Sequence, residues 1–349
     1  MTYLAKRLAI ASFVLALVAS ACGSDDSGTA DPTESDGTSG SDGAKVALVT
    51  CTTEIGYCSD YLEGFEAVIA ETDIELVNFF GTFDPAEQAS QVQQAIAGSP
   101  DGVVVFPADP EAVGPSLQRL ADEEIPVIVT NARPSEEFED LYVAYTGPDD
   151  YLIGRDGGSA MVAALDDAGI EDAQIFIVEG APGTTGGVDR TRGFTDEVSE
   201  IAPDLVIAGA ETGEWSATIA TEVTAAFLAA NPDTIDGIYA HSDEMMSGVL
   251  VALDQAGIDP ASLVLVGSNC DAVFGLEQLD SGVEAASVLQ SAFLDGAAAA
   301  TAMIRTLDGE AIEKVNILPH PIITSDNIDV CRDAQTAEGA QASVDEMFE

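Results

Sequence analysis

Beyond residue 43 the chain alternates short, wholly apolar runs with longer stretches whose apolar positions recur every three to four residues. The runs end at Thr50, Phe80, Phe106, Thr130 and Thr146, and then at Val178, Ala208, Ala240, Gly267 and Gln290. Segments such as GVVVF and PVIVT do not alternate inside and outside, which is the pattern of parallel strands covered on both faces. Helical patterns over 85–97, 111–123, 151–165 and 245–256 fill the intervals, so the expected fold is a doubly wound α/β protein. Asp84 before Pro85 and Asp259 before Pro260 read as helix N-caps with proline at the first helical position. Gly169 and Gly257, in DDAGI and DQAGI, read as left-handed C-caps.

The first 43 residues break this rhythm. Lys6 and Arg7 precede an apolar run from Leu8 to Val18, followed by Ala19, Ser20 and Ala21 before Cys22. Residues 1–21 therefore read as an export signal, too short for a spanning helix. The small residues before Cys22 resemble a bacterial lipobox, which implies lipidation of Cys22; Ala19 stands where a larger aliphatic residue is usual, and ordinary cleavage near Ala21 is the alternative. Residues 22–43 are almost entirely Ser, Asp, Gly and Thr, a composition that cannot offset its ordering entropy by burial, and they read as a disordered tether.

Charge narrows the function. The chain has 62 acidic and 11 basic residues, net −51, and the acids are spread along its length. A polyanion of this kind repels nucleic acid and anionic lipid, so neither is expected as a partner. Export makes disulfides the default for Cys51, Cys58, Cys270 and Cys331. A metal site is not expected, because His241 and His320 are the only histidines and no C-x2-C pair occurs. Cys51 and Cys58 bracket the loop after the first strand, where doubly wound sheets keep their ligands; at this level a reactive thiol, a metal ligand and a structural bridge remain open.

A set of phrases in a fixed order carries a family resemblance: KVALVT with Gly64, DGVVVFPADPEAV, EIPVIVTNARP, GPDDYLIGRDGG, GTTGGVDRTRGF, DGIYAHSDEMMSGVLVALDQAG, LVLVGSN, ASVLQ and IITSDNID. Over about 45–329 the chain resembles the type I periplasmic binding proteins of the ribose and galactose kind, the sugar-binding subunits of ABC importers. The resemblance implies two doubly wound parallel-sheet lobes joined by a three-segment hinge. The N-terminal lobe would comprise 44–147 plus 291–321, and the C-terminal lobe 148–290 plus 322–349. It implies a monomeric, non-enzymatic receptor without cofactor. Such a receptor traps a sugar, polyol or similar solute by hinge closure and delivers it to an ABC permease from a lipid-anchored position on the outer face of the cytoplasmic membrane. A sensory receptor of the same fold, signalling to a membrane kinase or chemoreceptor, is the alternative.

Carried over by position, the resemblance places Cys51, Thr52, Glu54, Tyr57 and Cys58 in the cleft, with Phe106, Asp109, Asn131, Ala132 and Arg133 from the first lobe. The second lobe would add Val188, Arg190, Trp215, Ser242 and Asn269, with Gln290 at the hinge. Aromatic faces suit the C–H faces of a sugar, and planar amides suit neighbouring hydroxyls. There are departures. The family's Asp-Arg pair after the fourth strand reads Asn131-Ala132 here, a ligand-contacting arginine falls on Val188, the Asn before the DEM phrase is Ser242, and an Asp is replaced by Asn269. Charge-assisted bonds are thus largely exchanged for neutral ones. Arg133, one place beyond the family's arginine, is the arginine expected to reach a ligand, whereas Arg155, Arg190 and Arg192 read as structural ion pairs. Trp215 reads as a ligand platform; Tyr57 and Phe106 serve equally well as cleft or core residues. His241, Asp243 and Glu244 read as a strand end and helix cap rather than catalytic groups. With the loop on the cleft wall, the expected bridges are Cys51–Cys58 and Cys270–Cys331, with Cys51–Cys270 as the competing pairing.

Overall fold

A computed structural model describes residues 40–231 and 235–349. The export signal, Cys22 and the tether up to residue 39 lie outside the described residues. The first lobe begins with β1 (Lys45–Cys51), α1 (Gly56–Ile69), β2 (Glu75–Gly81), α2 (Pro85–Ala97), β3 (Gly102–Val105), α3 (Gly114–Asp122), β4 (Val127–Thr130) and β5 (Ala144–Gly147). The chain then enters the second lobe: α4 (Asp150–Ala168), β6 (Gln174–Glu179), α5 (Thr185–Ile201), β7 (Val206–Thr212), α6 (Ala217–Ala230), β8 (Gly237–Ala240), α7 (Asp243–Ala256), β9 (Val264–Asn269), α8 (Gly275–Asp280) and β10 (Ala286–Leu289). It returns through α9 (Ala292–Leu307) and β11 (Val315–Ile317), crosses again to β12 (Ile322–Ile323) and α10 (Ile328–Ala334), and ends in α11 (Ala337–Met347).

Two six-stranded sheets result, in the orders β11-β5-β4-β3-β1-β2 and β12-β10-β9-β8-β6-β7. Every strand pair is parallel except β10 with β12. The expected doubly wound α/β class is therefore what the chain forms, and the apolar runs explain it: β3, β4, β8 and β10 are buried along their whole length. The predicted turns also form. Asp84 accepts hydrogen bonds from the Ala86 and Glu87 amides, and Gly169 and Gly257 take left-handed φ values of 69° and 71°. Pro260 opens a single 3-10 turn rather than an α-helix. β7 runs four residues beyond its expected end at Ala208, across a register irregularity opposite Ile175 and Phe176.

Both lobes contain helix pairs in backbone contact. A Cβ on Gly64 would lie 1.9 Å from the Phe293 carbonyl oxygen, and one on Gly296 would lie 1.9 Å from that of Tyr61, which locks α1 to α9. In the second lobe Gly154 and Gly193 do the same for α4 and α5, against the carbonyls of Arg190 and Tyr151. These close approaches fix where α1, α5 and α9 present their side chains.

Three crossovers lie side by side at 147–150, 289–292 and 318–321. The Leu318 amide donates to the Gly147 carbonyl at 3.0 Å and the Leu289 amide to the Pro321 carbonyl at 3.0 Å. The tail departs from the expected division. β12 and α10 pack with the second lobe, where Ile323, Ile328 and Cys331 join Cys270 and Leu289 in one apolar cluster. α11 instead returns to α9, burying Ala340 and Val344 against Leu294, Ala297 and Ala298. Residues 337–347 thus sit on the first lobe, and the chain crosses between lobes a fourth time.

Candidate functional site

In doubly wound sheets, loops at the strand C-termini diverge where the strand order reverses, leaving a crevice. Both sheets reverse in the same way, at β1 and β6, and their crevices face one another across a cavity of about 350 Å³. Glu54, Tyr57, Cys58, Phe106, Asn131, Ala132, Arg190, Trp215, Ser242, Asn269 and Gln290 line it, as placed by the sequence.

Five other expected residues do not line it. Cys51 is 4% exposed and turned into the core by its bridge to Cys58. The Thr52 hydroxyl accepts from the Glu54 amide and shapes the loop. Asp109 caps the turn before α3, accepting from the Glu111 and Ala112 amides at 2.8 Å. Arg133 points away, 3.7 Å from Glu139, and Val188 lies on the exposed side of α5. The arginine that does reach the cavity is Arg190, which the resemblance places in the cleft and which also makes the ion pair read for it.

Arg190 organises the second-lobe wall. The Arg190 side chain is 4% exposed. Nε donates to Asp150 Oδ1 at 2.9 Å, and Nη1 donates to the His241 carbonyl at 2.5 Å and to Asn269 Oδ1 at 3.1 Å. Nη2 donates to Gln290 Oε1. Four of its five N–H groups are thus committed within the protein. Trp215 stands beside it, with the guanidinium 5.7 Å from the ring centroid, a cation–π contact. The indole lies on bare backbone: a Cβ at Gly180 would come within 2.0 Å of it. His241 is buried and accepts the Gly180 amide at Nδ1, so Nε2 carries the proton and reaches Thr191 Oγ1 at 3.3 Å. Burial and the neighbouring Arg190 hold the imidazole well below its usual pKa, so it stays neutral. The Ser242 hydroxyl accepts from the Met245 amide and caps α7, matching the helix-cap reading of this phrase.

The first-lobe wall is held by Tyr57. Its hydroxyl donates to Asp295 Oδ2 at 3.0 Å and accepts from Asn131 Nδ2 at 3.0 Å and Gln290 Nε2 at 2.8 Å. Gln290 bonds to Arg190 through one end of its amide and to Tyr57 through the other, linking the two walls. Burial first, then the Asp295 charge, raises the phenol well above its usual pKa, so it remains a donor at any physiological pH.

Non-glycine residues with positive φ gather here. Asn131 (63°), Trp215 (60°) and Asn269 (93°) line the cavity, and Glu214 (52°) and Cys270 (50°) adjoin it. Such backbone costs about 1–3 kcal/mol per residue and clusters at sites whose side chains must point a set way.

Sequence reasoning passed over several lining residues. Asp150, the partner of Arg190, sits just past the first crossover inside the quoted GPDDYLIG phrase. Phe83 and Phe274 add aromatic surface, and Gln335 comes from the tail, donating to the Cys270 carbonyl at 2.9 Å. The mouth is acidic from both sides: Asp60 of the first lobe faces Glu244 and Asp271 of the second. Burial, then the Asp271 charge, raises Asp60 and Glu244 above the usual carboxylate range. Beneath Asp271 lies a buried carboxyl pair. Asp243 accepts from the Ser287 hydroxyl at 2.8 Å and the Asp271 amide at 3.0 Å, whereas neither oxygen of Glu284 has a partner. Both are pushed well above their usual pKa by burial. Among the described residues no cluster suited to a metal ion is present. The bridges are Cys51–Cys58 and Cys270–Cys331, so the competing Cys51–Cys270 pairing does not form.

Comparison with known proteins agrees with this architecture. A xylitol-binding protein of Mycolicibacterium smegmatis is 29% identical over 271 residues, 77% of this chain and 74% of the relative. The ribose import binding protein of Salmonella typhimurium is 25% identical over 77% of this chain and 86% of its own length. A crystal structure from Mycobacterium smegmatis in complex with β-D-fucofuranose superposes with a TM-score of 0.78 at 22% identity, covering 87% of this chain and 97% of that one. These relatives are binding proteins rather than enzymes. The periplasmic binding protein domain matches residues 46–311, and the chain belongs to that family of extracytoplasmic solute-binding proteins.

Proposed function

We propose that this protein captures a neutral sugar or polyol between its lobes and hands it to the permease of an ABC importer, held to the outer face of the membrane through lipidated Cys22. The observation that carries the solute class is the lining itself. Trp215, Phe106 and Phe83 offer aromatic faces, and Asn131, Asn269 and Gln290 offer amides, around a space of about 350 Å³ suited to a monosaccharide. Charge favours a neutral solute: Arg190, the one arginine lining the cavity among the described residues, has a single uncommitted N–H, and Glu54, Asp60, Asp150, Glu244 and Asp271 would repel a sugar acid or phosphate. Relatives named for xylitol and ribose support the same class. The sensory alternative is not favoured.

The test is a thermal-shift panel of xylitol, D-ribose, D-allose, myo-inositol, gluconate and ribose 5-phosphate, read alongside Trp215 fluorescence. A solute held only by the folded protein adds about 2.7 kcal/mol at a hundred times its Kd. A shift with one or more neutral members and none with the two anions is expected. No shift from any neutral member, or a shift from the anions alone, would refute the proposal.

A further inference from the structure

Asp295 does not line the cavity, yet it lies directly behind two residues that do. It sits in the first turn of α9, is fully buried, and faces three neutral donors: Tyr57 Oη at 3.0 Å, Thr130 Oγ1 at 3.0 Å and Asn131 Nδ2 at 2.9 Å. All four residues belong to the first lobe, so hinge motion leaves the arrangement intact.

The consequence concerns the polarity of Asn131. Its Nδ2 has two protons, and Asp295 Oδ2 and Tyr57 Oη take both. The backbone cannot swing the side chain elsewhere. Asn131 is fixed at φ 63°, its amide donates to the Thr146 carbonyl at 3.1 Å, and its carbonyl accepts from Tyr145 Oη at 2.8 Å. The Oδ1 end, which has no partner among the described residues, is therefore the end offered to the cavity. Across the cleft the order is reversed: Asn269 Oδ1 is occupied by Arg190, which leaves the Asn269 NH2 as the exposed end.

We infer that Asp295 is a positioning residue that sets the hydrogen-bond polarity of the site, making Asn131 an obligate acceptor opposite an obligate donor at Asn269. The site then selects a solute with a donating hydroxyl toward the first lobe and an accepting oxygen toward the second. The inference rests on the solute reading above only for what is bound, not for how Asn131 is held. It also accounts for the departure at this position. Where the family places a carboxylate in the cleft, this chain has an amide, with the carboxylate one layer behind it.

An Asp295→Leu variant removes both acceptor oxygens while keeping an apolar side chain of similar size, so Asn131 Nδ2 loses the partner that fixes it and the Asn131 amide is free to turn over and present donors to the cavity. Binding is measured by calorimetry from pH 6 to pH 8 with whichever of xylitol and D-ribose the wild type takes. Tyr57 and Tyr61 on α1, Tyr145 on β5 and Asp150 on α4 are the titratable groups that act on Asp295, and burial raises its pKa to about 7. Ionised Asp295 is the better acceptor, so wild-type affinity should rise up to about tenfold across that range, with the variant weaker by tenfold or more at pH 8 and flat with pH. Wild-type affinity and pH profile in the variant would overturn the inference. A second measurement needs neither solute nor variant. In the ligand-free wild type, both Asn131 side-chain amide protons should be protected from exchange in NMR spectra at pH 8, and fast exchange of either one would overturn the inference even if no sugar binds.

Discussion

Arg190→Ala gives the most demanding check on how this site is built. Removing the guanidinium takes a cation from Asp150, which is 7% exposed, and a donor from the His241 carbonyl, Asn269 and Gln290. Breaking a buried ion pair from one side costs about 3–5 kcal/mol, because the remaining charge stays buried without its partner. With a urea dependence on the order of 3 kcal/mol per M, the midpoint should fall by about 1–1.7 M. Arg190→Lys should recover little, since a single ammonium cannot reach four acceptors arranged around a planar fork. Arg190→Ala combined with Asp150→Asn removes both charges and should be less destabilised than Arg190→Ala alone, giving a coupling of about 2 kcal/mol or more in the double-mutant cycle. Urea unfolding followed by circular dichroism supplies the stabilities. A loss below about 1 kcal/mol for Arg190→Ala, or a cycle that adds without coupling, would refute the claim that this network is held by a buried charge pair.

Two further outcomes follow from buried chemistry. The Cys51–Cys58 bridge closes seven residues and Cys270–Cys331 closes 61, so loop entropy assigns about 2 kcal/mol to the first and about 4 kcal/mol to the second. Denaturant unfolding of the two double-serine variants should show the larger loss for Cys270/Cys331, and the reverse order would contradict a chain-entropy origin. Glu284, held well above its usual pKa with no hydrogen-bond partner, keeps its proton in the folded chain while the unfolded chain releases it near the ordinary carboxylate value. Its contribution therefore worsens as pH rises through and above about 4.5. Glu284→Gln should stabilise the protein at pH 7 by about 1–3 kcal/mol and make no difference near pH 4; equal stability at pH 7 would show that the carboxyl is not desolvated.

The strands were legible because burial on both faces writes itself as unbroken apolar runs, and the caps because Asp84, Gly169 and Gly257 act within one turn of chain. The placing of the tail was not. The apolar positions of α11 say that one face is buried, but not on which lobe, and that choice depends on the apolar face of α9 that α11 covers. Tyr57, Asn131 and Asn269, on loops that follow strands, line the cavity as the resemblance expects, but Thr52 and Asp109 on loops of the same kind are turned into local hydrogen bonds. Arg133 and Val188 point outward, because one residue more or less along a loop or helix reverses the side chain. Asp295 gave no signal of its own. In a first helical turn after Ser291, an Asp looks like an ordinary complement to the helix dipole, and only the packing of α1 on α9 brings Tyr57 to it.

The fourth crossover gives this hinge a tether of known length. α10 is stapled to the second lobe by Cys270–Cys331, and α11 is buried on the first. Only Gln335 and Thr336 join them, and three residue steps span about 10 Å when fully drawn out. Gln335 also bonds to the Cys270 carbonyl on one side and the Ser291 hydroxyl on the other. Any rotation that parts the lobes near the tail must stop when this two-residue cord is taut, or else unwind the end of a helix. The mouth can therefore swing open while the back of the cleft stays nearly closed, like a door on a short chain.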